Sequence, residues 1–374
     1  MEGYWKDRRV TYTLAEFAQS IFASLELVDC ENQLGLTKDS DARHCVLLVD
    51  GFGKNAFDEF SQGLALAKLD YRQTLRATFP STTATSLTSF GTGTAPGEHG
   101  MVGYTMLVPH SGSPERVLNA LKWDERIDPV TWQSIPTLFE RAISQGIEVT
   151  HIAGKRYANT GFTRAALRGA NYIGVNDPDD MVSAARNALG KSRSFAYLYL
   201  NDVDEASHGS GYGSERFLSA LKRVDHAVAK LQRDLPPGTT LWITSDHGMI
   251  NRGDAVIIGQ DNPLLSGVRV MAGEPRVRYL YLNDPASAET ERIWREFFGD
   301  RVTILRRDDA IDSGLFGKTV SQRIRERIGD LIVVANNDLI LVESERAVQQ
   351  LAMVGHHGGM TKAEIEIPLL MSKS

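Results

Sequence analysis

The chain has 374 residues, 42% of them hydrophobic, enough for one large α/β domain with a substantial core. Its formal net charge is -6, with acidic and basic residues interspersed, which argues against a nucleic-acid polymer held on a broad basic surface. No apolar run approaches the ~20 residues that span a bilayer.

The N-terminal stretch MEGYWKDRRVTYT carries charges with no apolar segment behind them, so a secretory leader is not expected and a cytoplasmic location is. Thr13-Leu14-Ala15-Glu16 is a capping-box pattern that predicts a helix over the following FAQSIFASLEL. Cys30 and Cys45 are the only cysteines, and Cys45, inside an apolar run, reads as a buried free thiol. Residues 45–49 (CVLLV) are a short, continuous apolar run, the mark of a strand covered on both faces. Similar runs recur at 147–153, 195–200 and 240–244. Between them lie amphipathic patterns, the clearest over 215–232, where Phe217, Leu218, Leu221, Val224, Val228 and Leu231 mark one face. Buried strands alternating with such helices predict an α/β fold, a mainly parallel central sheet with helices on both faces. From about 255 to 345 the pattern changes to short strands at 268–271, 278–282, 331–335 and 338–342, with helical stretches at 287–298 and 319–328. This region is expected to form a smaller α+β insert within a single domain spanning 1–374, with Asn336-Asn337 as a tight hairpin turn.

Chemistry concentrates just after the strands. Asp50 follows the first run, Asp204 and His208 follow 195–200, and Asp246-His247 follow 240–244; His357 lies in VGHHGG near the C-terminus. In open α/β sheets that strand end is where ligands bind. Taken singly, Asp50-Gly51 is an ordinary turn, and Asp204 with His208, spaced i, i+4, is an ordinary surface pair. Together, three carboxylates and three imidazoles, with a seventh oxygen from a threonine, are enough for two zinc ions with three protein ligands each. His357 is preferred to His356 because Gly358 and Gly359 follow it and let the backbone close on the site. The nucleophile is sought in 78-TFPSTTATSLTSFGTG-93, where Pro80 and the hydroxyl residues after it signal a helix start, and a helix N-terminus stabilises phosphate. Paired metals are a standard device for displacement at phosphorus, so the expected activity is metal-dependent hydrolysis of a phosphate ester.

The order Asp, Thr, Asp-x-x-x-His, Asp-His, His from Asp50 to His357 resembles the alkaline phosphatase superfamily, and within it the nucleotide pyrophosphatase/phosphodiesterase family. The resemblance implies an alkaline-phosphatase-like fold. It also implies one zinc on Asp50, Asp246, His247 and the nucleophile's oxygen, and a second zinc on Asp204, His208 and His357. In these proteins the nucleophile stands nine residues before the Thr of a Thr-Gly pair, here Thr92-Gly93, which selects Thr83, with Thr82 and Thr85 as alternatives. A match to the family's Phe-Pro would select Thr78 instead. Where many members place a phosphate-binding Asn after HGxxG, this chain has Tyr104, a phenol able to donate one hydrogen bond to the same oxygen. The implied reaction is hydrolysis of phosphodiester or pyrophosphate bonds in small, nucleotide-like substrates through a phosphothreonine intermediate. A phosphomonoesterase, with Lys155, Arg156 and Arg164 supplying extra positive charge, is the first alternative; a phosphonate hydrolase or phosphomutase is another.

Overall fold

A computed structural model describes residues 12–373 of the chain. The N-terminal stretch read for a leader lies, up to residue 11, outside the described residues.

Seven strands form the central sheet: β1 (Arg43–Val49), β2 (Asp70–Arg76), β3 (Glu148–Ala153), β4 (Asn171–Gly174), β5 (Ser194–Leu200), β6 (Thr239–Thr244) and β7 (Glu366–Lys373). Their order across the sheet is β2-β7-β6-β1-β5-β3-β4. β1 runs parallel to both β5 and β6, and β3 runs parallel to β4 and β5. Only β7 runs against its neighbours, so the sheet is mixed and mainly parallel, as the apolar runs predicted.

Both faces of β1 are buried, and alternate residues serve different cores. Val46 and Leu48 join the cluster that takes in Phe17, Ile21 and Phe22 of α1 (Leu14–Ser24), whereas Cys45, Leu47 and Val49 join the opposite cluster. That second cluster receives Phe217, Leu221, Val224, Val228 and Leu231 from the 20-residue helix Glu215–Asp234. This alternation is why the strand sequence is continuously apolar rather than period-two. Thr13 caps α1 as its sequence predicts: the Ala15 N–H donates to Thr13 Oγ1 at 3.1 Å, and the Thr13 N–H donates to Glu16 at 2.7 Å. Both cysteines are free, with Cys45 buried. No helix among the described residues is long and apolar enough to cross a membrane.

The region read as changed in pattern contains a separate four-stranded antiparallel sheet in the order Val268–Glu274, Val277–Leu282, Leu331–Ala335, Val302–Arg306. One of its faces packs on a small cluster with Trp294 and Phe298, while Tyr279, Tyr281, Ile332 and Val334 pack into the main core. The sequence reading missed the strand Val302–Arg306. The expected hairpin at Asn336-Asn337 is absent: the strand Ile340–Glu343 leaves the sheet and pairs in parallel with Ala255–Ile258. The helix expected over 319–328 shrinks to Gln322–Arg325. Tertiary partners claim the backbone there, since the Arg327 carbonyl accepts from the Tyr281 hydroxyl while the Arg327 guanidinium donates to the Gly100 and Trp132 carbonyls.

Candidate active site

Three connections leave the same sheet edge and bring their side chains together. Asp50 is the first residue after β1, and its N–H donates to the Leu200 carbonyl at the end of β5 at 2.8 Å. Gly51 turns the chain with φ of 71°, and a Cβ there would lie 3.1 Å from the Asp204 Cα. A side chain at this position would therefore force the two loops apart. Asp204 and His208 stand on the helix α2 (Asp202–Ser210), one turn apart. Asp246 and His247 follow β6 after Ser245, and His357 arrives just after the two-residue strand Gly355–His356.

These side chains form two groups. Ligand atoms of Asp50, Asp246 and His247 lie within 4.8 Å of one another, and so do those of Asp204, His208 and His357. Nε2 of His247 is 3.3 Å from Asp50 Oδ1 and 3.4 Å from Asp246 Oδ2. Nε2 of His208 is 3.3 Å, and that of His357 is 3.9 Å, from Asp204 Oδ1. The rings of His247 and His357 stack with centroids 3.6 Å apart, joining the two groups.

The hydrogen bonds behind these residues leave one ligand atom of each turned inward. Nδ1 of His247 faces the Gly248 carbonyl at 3.0 Å, Nδ1 of His208 faces the Gly355 carbonyl at 2.8 Å, and Nδ1 of His357 faces the Ser81 carbonyl at 3.0 Å. A carbonyl only accepts, so each Nδ1 carries a proton, which leaves each Nε2 as the ring atom available to a metal. Asp246 Oδ1 accepts the Gly51 and His247 N–H groups, and Asp50 Oδ2 accepts the Tyr199 hydroxyl. The opposite oxygens, Asp50 Oδ1 and Asp246 Oδ2, are buried without a hydrogen-bond partner, as is Asp204 Oδ1. Buried anionic oxygens lacking donors are costly unless a cation meets them. Three Nε2 atoms and three such oxygens, divided into two groups, fit two divalent ions of the zinc type.

Electrostatics point the same way. Burial, reinforced by the Asp50 charge, raises the Asp246 carboxyl, and burial also raises Asp204. Burial draws His247 down, but Asp246 and Asp50 outweigh it and hold the ring well above its usual range. His357 is pushed well below its usual value by burial and by the neighbouring His247 and His208. A carboxylate cluster in which protons stand in for missing positive charge releases them when metal binds.

The hydroxyls of 78–93 separate by geometry. The helix begins at Thr83, capped by Thr82, three residues beyond Pro80, and runs to Thr92. Thr83 Oγ1 lies 3.1 Å from His247 Nε2. Thr78 is turned away, its Oγ1 bonded to Ser86 at 3.2 Å, while Thr82 and Thr85 share a hydroxyl contact at 3.2 Å. His356 also turns aside, its Nε2 facing the Met353 carbonyl at 3.3 Å.

A cavity of about 740 Å³ opens over these groups, lined by Asp50, Thr83, Asp204, His208 and His357 and also by Tyr104. Lys155, Arg156 and Arg164 do not line it. Arg156 is paired with Glu205 and lies over the Tyr157 ring, and Arg164 faces Asp128 at 3.8 Å. The lysine and arginine that line it are Lys122 and Arg346. Tyr199, His151 and Glu274 are among the lining residues that escaped the sequence reading. Tyr199 and His151 each sat inside an apolar strand run, and neither pattern separates a site-facing side chain from a core one. Glu274 comes from the remote antiparallel sheet, and no local signal marks it. Its carboxyl is pushed up to about 8, chiefly by burial.

The fold recurs in solved structures. Murine ectonucleotide pyrophosphatase/phosphodiesterase 5, solved as an inactive threonine-to-alanine variant in complex with AMP, superposes with a TM-score of 0.67 at 14% identity, covering 88% of this chain and 87% of that one. The human counterpart gives a TM-score of 0.64 at 16% identity, with 88% and 87% covered. Phosphonoacetate hydrolase from Sinorhizobium meliloti, in complex with phosphonoacetate, gives 0.63 at 17% identity, with 88% and 90% covered. A comparison with curated proteins returns no match. The family model for type I phosphodiesterase/nucleotide pyrophosphatase matches residues 44–360, from the first residues of β1 to just beyond His357. The chain belongs to the type I phosphodiesterase/nucleotide pyrophosphatase family of hydrolases, within the alkaline phosphatase superfamily.

Proposed function

We propose that this hydrolase cleaves phosphodiester or pyrophosphate bonds of small, nucleotide-type esters, with Thr83 as nucleophile and two zinc ions as cofactors. Asp50, Asp246 and His247 would hold one ion together with the Thr83 oxygen; Asp204, His208 and His357 would hold the other. The observation that carries this reading is the convergence of Thr83 Oγ1 with two adjacent groups that together hold three inward Nε2 atoms and three partnerless carboxylate oxygens. When bound, such ions supply Lewis acidity: they lower the pKa of a hydroxyl or water and neutralise charge on the departing oxygen.

The chain's own groups do the rest. Thr83 is the first residue of its helix, so the free N–H groups of the first turn face a phosphate placed at its hydroxyl. Attack by the Thr83 oxygen on phosphorus forms a new P–O bond as the bond to the leaving alcohol breaks in line. Water then cleaves the phosphothreonine and restores the hydroxyl. The Tyr104 hydroxyl donates to a non-bridging oxygen, a neutral contact suited to the single negative charge of a diester. Arg156 is engaged with Glu205, and Lys155 and Arg164 are not among the lining residues, so the cluster that would have suited a monoester does not supply its charge; Lys122 and Arg346 are the cations that line the cavity. The murine neighbour's inactivity on loss of a threonine, and its complex with AMP, agree with a threonine nucleophile and a nucleotide-type substrate.

The test is kcat/KM of the zinc-loaded protein on bis(4-nitrophenyl) phosphate against 4-nitrophenyl phosphate. A preference for the diester, reduced roughly tenfold in Tyr104→Phe, is expected for one lost hydrogen bond to developing charge. A preference for the monoester with an unaffected Tyr104→Phe would move the assignment to a phosphatase.

A further inference from the structure

Glu274 lines the same cavity yet belongs to neither carboxylate–imidazole group. It closes the strand Val268–Glu274 and is 5% exposed, with Oε1 buried and without a hydrogen-bond partner. The obvious internal partners are occupied. Arg278 donates to the Leu341 carbonyl, to Glu343 and to Gln350, and Arg276 donates to Glu364 and to the Leu339 and Asn337 carbonyls. The backbone has been cleared for this carboxyl as well. Gly358, the residue after His357, has φ of 118°, and a Cβ there would stand 2.6 Å from the Glu274 Cδ and 2.7 Å from Oε1. A carboxyl held against the segment that carries His357, with two buried guanidiniums turned elsewhere, is a group whose partner comes from outside the protein.

From this, and resting on the phosphoester reading of the site, we infer that Glu274 is a substrate-contacting residue that hydrogen-bonds a hydroxyl on the organic part of the ester, so that the enzyme selects phosphate esters of polyhydroxy alcohols. A hydroxyl is the simplest partner that serves this carboxyl in either charge state, because it both donates and accepts. An ammonium serves only the ionised form, and a carbonyl or ether only the protonated one. The cavity, at about 740 Å³, has room for an alcohol much larger than a phosphate group. The polyol can be a sugar, a nucleoside ribose or glycerol; their shared vicinal hydroxyls are what the residue reads.

The experiment compares two 4-nitrophenyl phosphodiesters that share a leaving group, one carrying glycerol and the other 1-propanol as the second alcohol. Zinc-loaded wild type is expected to prefer the glycerol ester by about five- to tenfold, the scale of one net hydrogen bond. Glu274→Ala should lose that preference, its glycerol-to-propyl ratio of kcat/KM falling to about one. Glu274→Gln, which keeps the shape and can both donate and accept, should retain part of it. Thermal melts and zinc content of both variants, expected to match wild type, exclude a folding defect as the cause. No preference in the wild type, or a preference that survives Glu274→Ala, would overturn the contact and leave the phosphodiesterase reading standing. Equal losses on both esters in Glu274→Ala would overturn it in favour of a role in the chemistry itself. Turnover of neither ester by zinc-loaded wild type would overturn the phosphodiesterase reading and this contact with it.

Discussion

Thr83 Oγ1 lies 3.1 Å from Nε2 of His247, although 164 residues separate them in the chain. The contact joins the first residue of a helix to the loop that leaves β6, and it sets the hydroxyl at the mouth of the Asp50–Asp246–His247 group. Neither residue has an unusual local sequence. Their juxtaposition comes from a sheet that carries both connections to one edge.

Thr83→Ala should abolish turnover while zinc content and melting temperature stay near those of wild type, since only the attacking oxygen is removed. Thr82→Ala and Thr85→Ala should be much milder, because those hydroxyls bond each other at the helix cap. Steady-state rates with metal analysis decide it. An active Thr83→Ala beside an inactive Thr78→Ala would mean that the Phe-Pro match, not the spacing to Thr92-Gly93, identifies the nucleophile.

Tyr199 donates its hydroxyl to Asp50 Oδ2, which leaves Oδ1 as the free inward atom. Groups that orient metal ligands in this way are typically worth about 10- to 100-fold in metal affinity. Tyr199→Phe should therefore weaken binding of one zinc ion by at least about tenfold in a chelator competition and leave the other unchanged. Unaltered affinity at both would show that the hydrogen bond does not set the ligand's position.

His44, His99 and His151 are buried neutral, drawn down chiefly by burial to about 4, about 3 and about 3. In the unfolded chain histidines titrate near 6.5. Below that value the unfolded state binds more protons, so the stability that neutral burial allows is full above pH ~6.5. It is lost as the pH falls towards the folded values, by up to about 1.4 kcal/mol per pH unit for each ring. His44 shows why protonation is resisted: its Nδ1 accepts from the Trp242 indole N–H at 3.1 Å, and its Nε2 faces Ser24 Oγ at 3.0 Å. Urea unfolding between pH 6.5 and 5 should give a shallower pH slope for His44→Gln than for wild type. Identical slopes would contradict the burial of a neutral ring there.

The reading of the chain worked best where residues carry local information. The runs before Asp50, Asp204 and Asp246 are doubly buried strands, and double burial leaves a mark in sequence as uninterrupted apolar residues. A ligand placed one to four residues past such a run is then at the sheet edge by topology alone. Pairing partners are not local. The apolar stretches around Asn336-Asn337 look like a hairpin, yet one joins the antiparallel sheet and the other pairs in parallel with Ala255–Ile258. Glu274 was invisible for the same reason: what makes it part of the cavity is the approach of Gly358, 84 positions further on by number, and two arginines whose donors are used elsewhere. Tyr199 shared its strand with core residues, and only the position of Asp50 distinguishes it from them.

Zinc dependence is the most direct test of the two-metal reading. Protein stripped with a chelator and titrated with zinc should recover diesterase activity in proportion to added metal and level off at about two equivalents per chain, one for each group of three ligands. Full activity in the stripped protein, or a plateau at one equivalent, would contradict it.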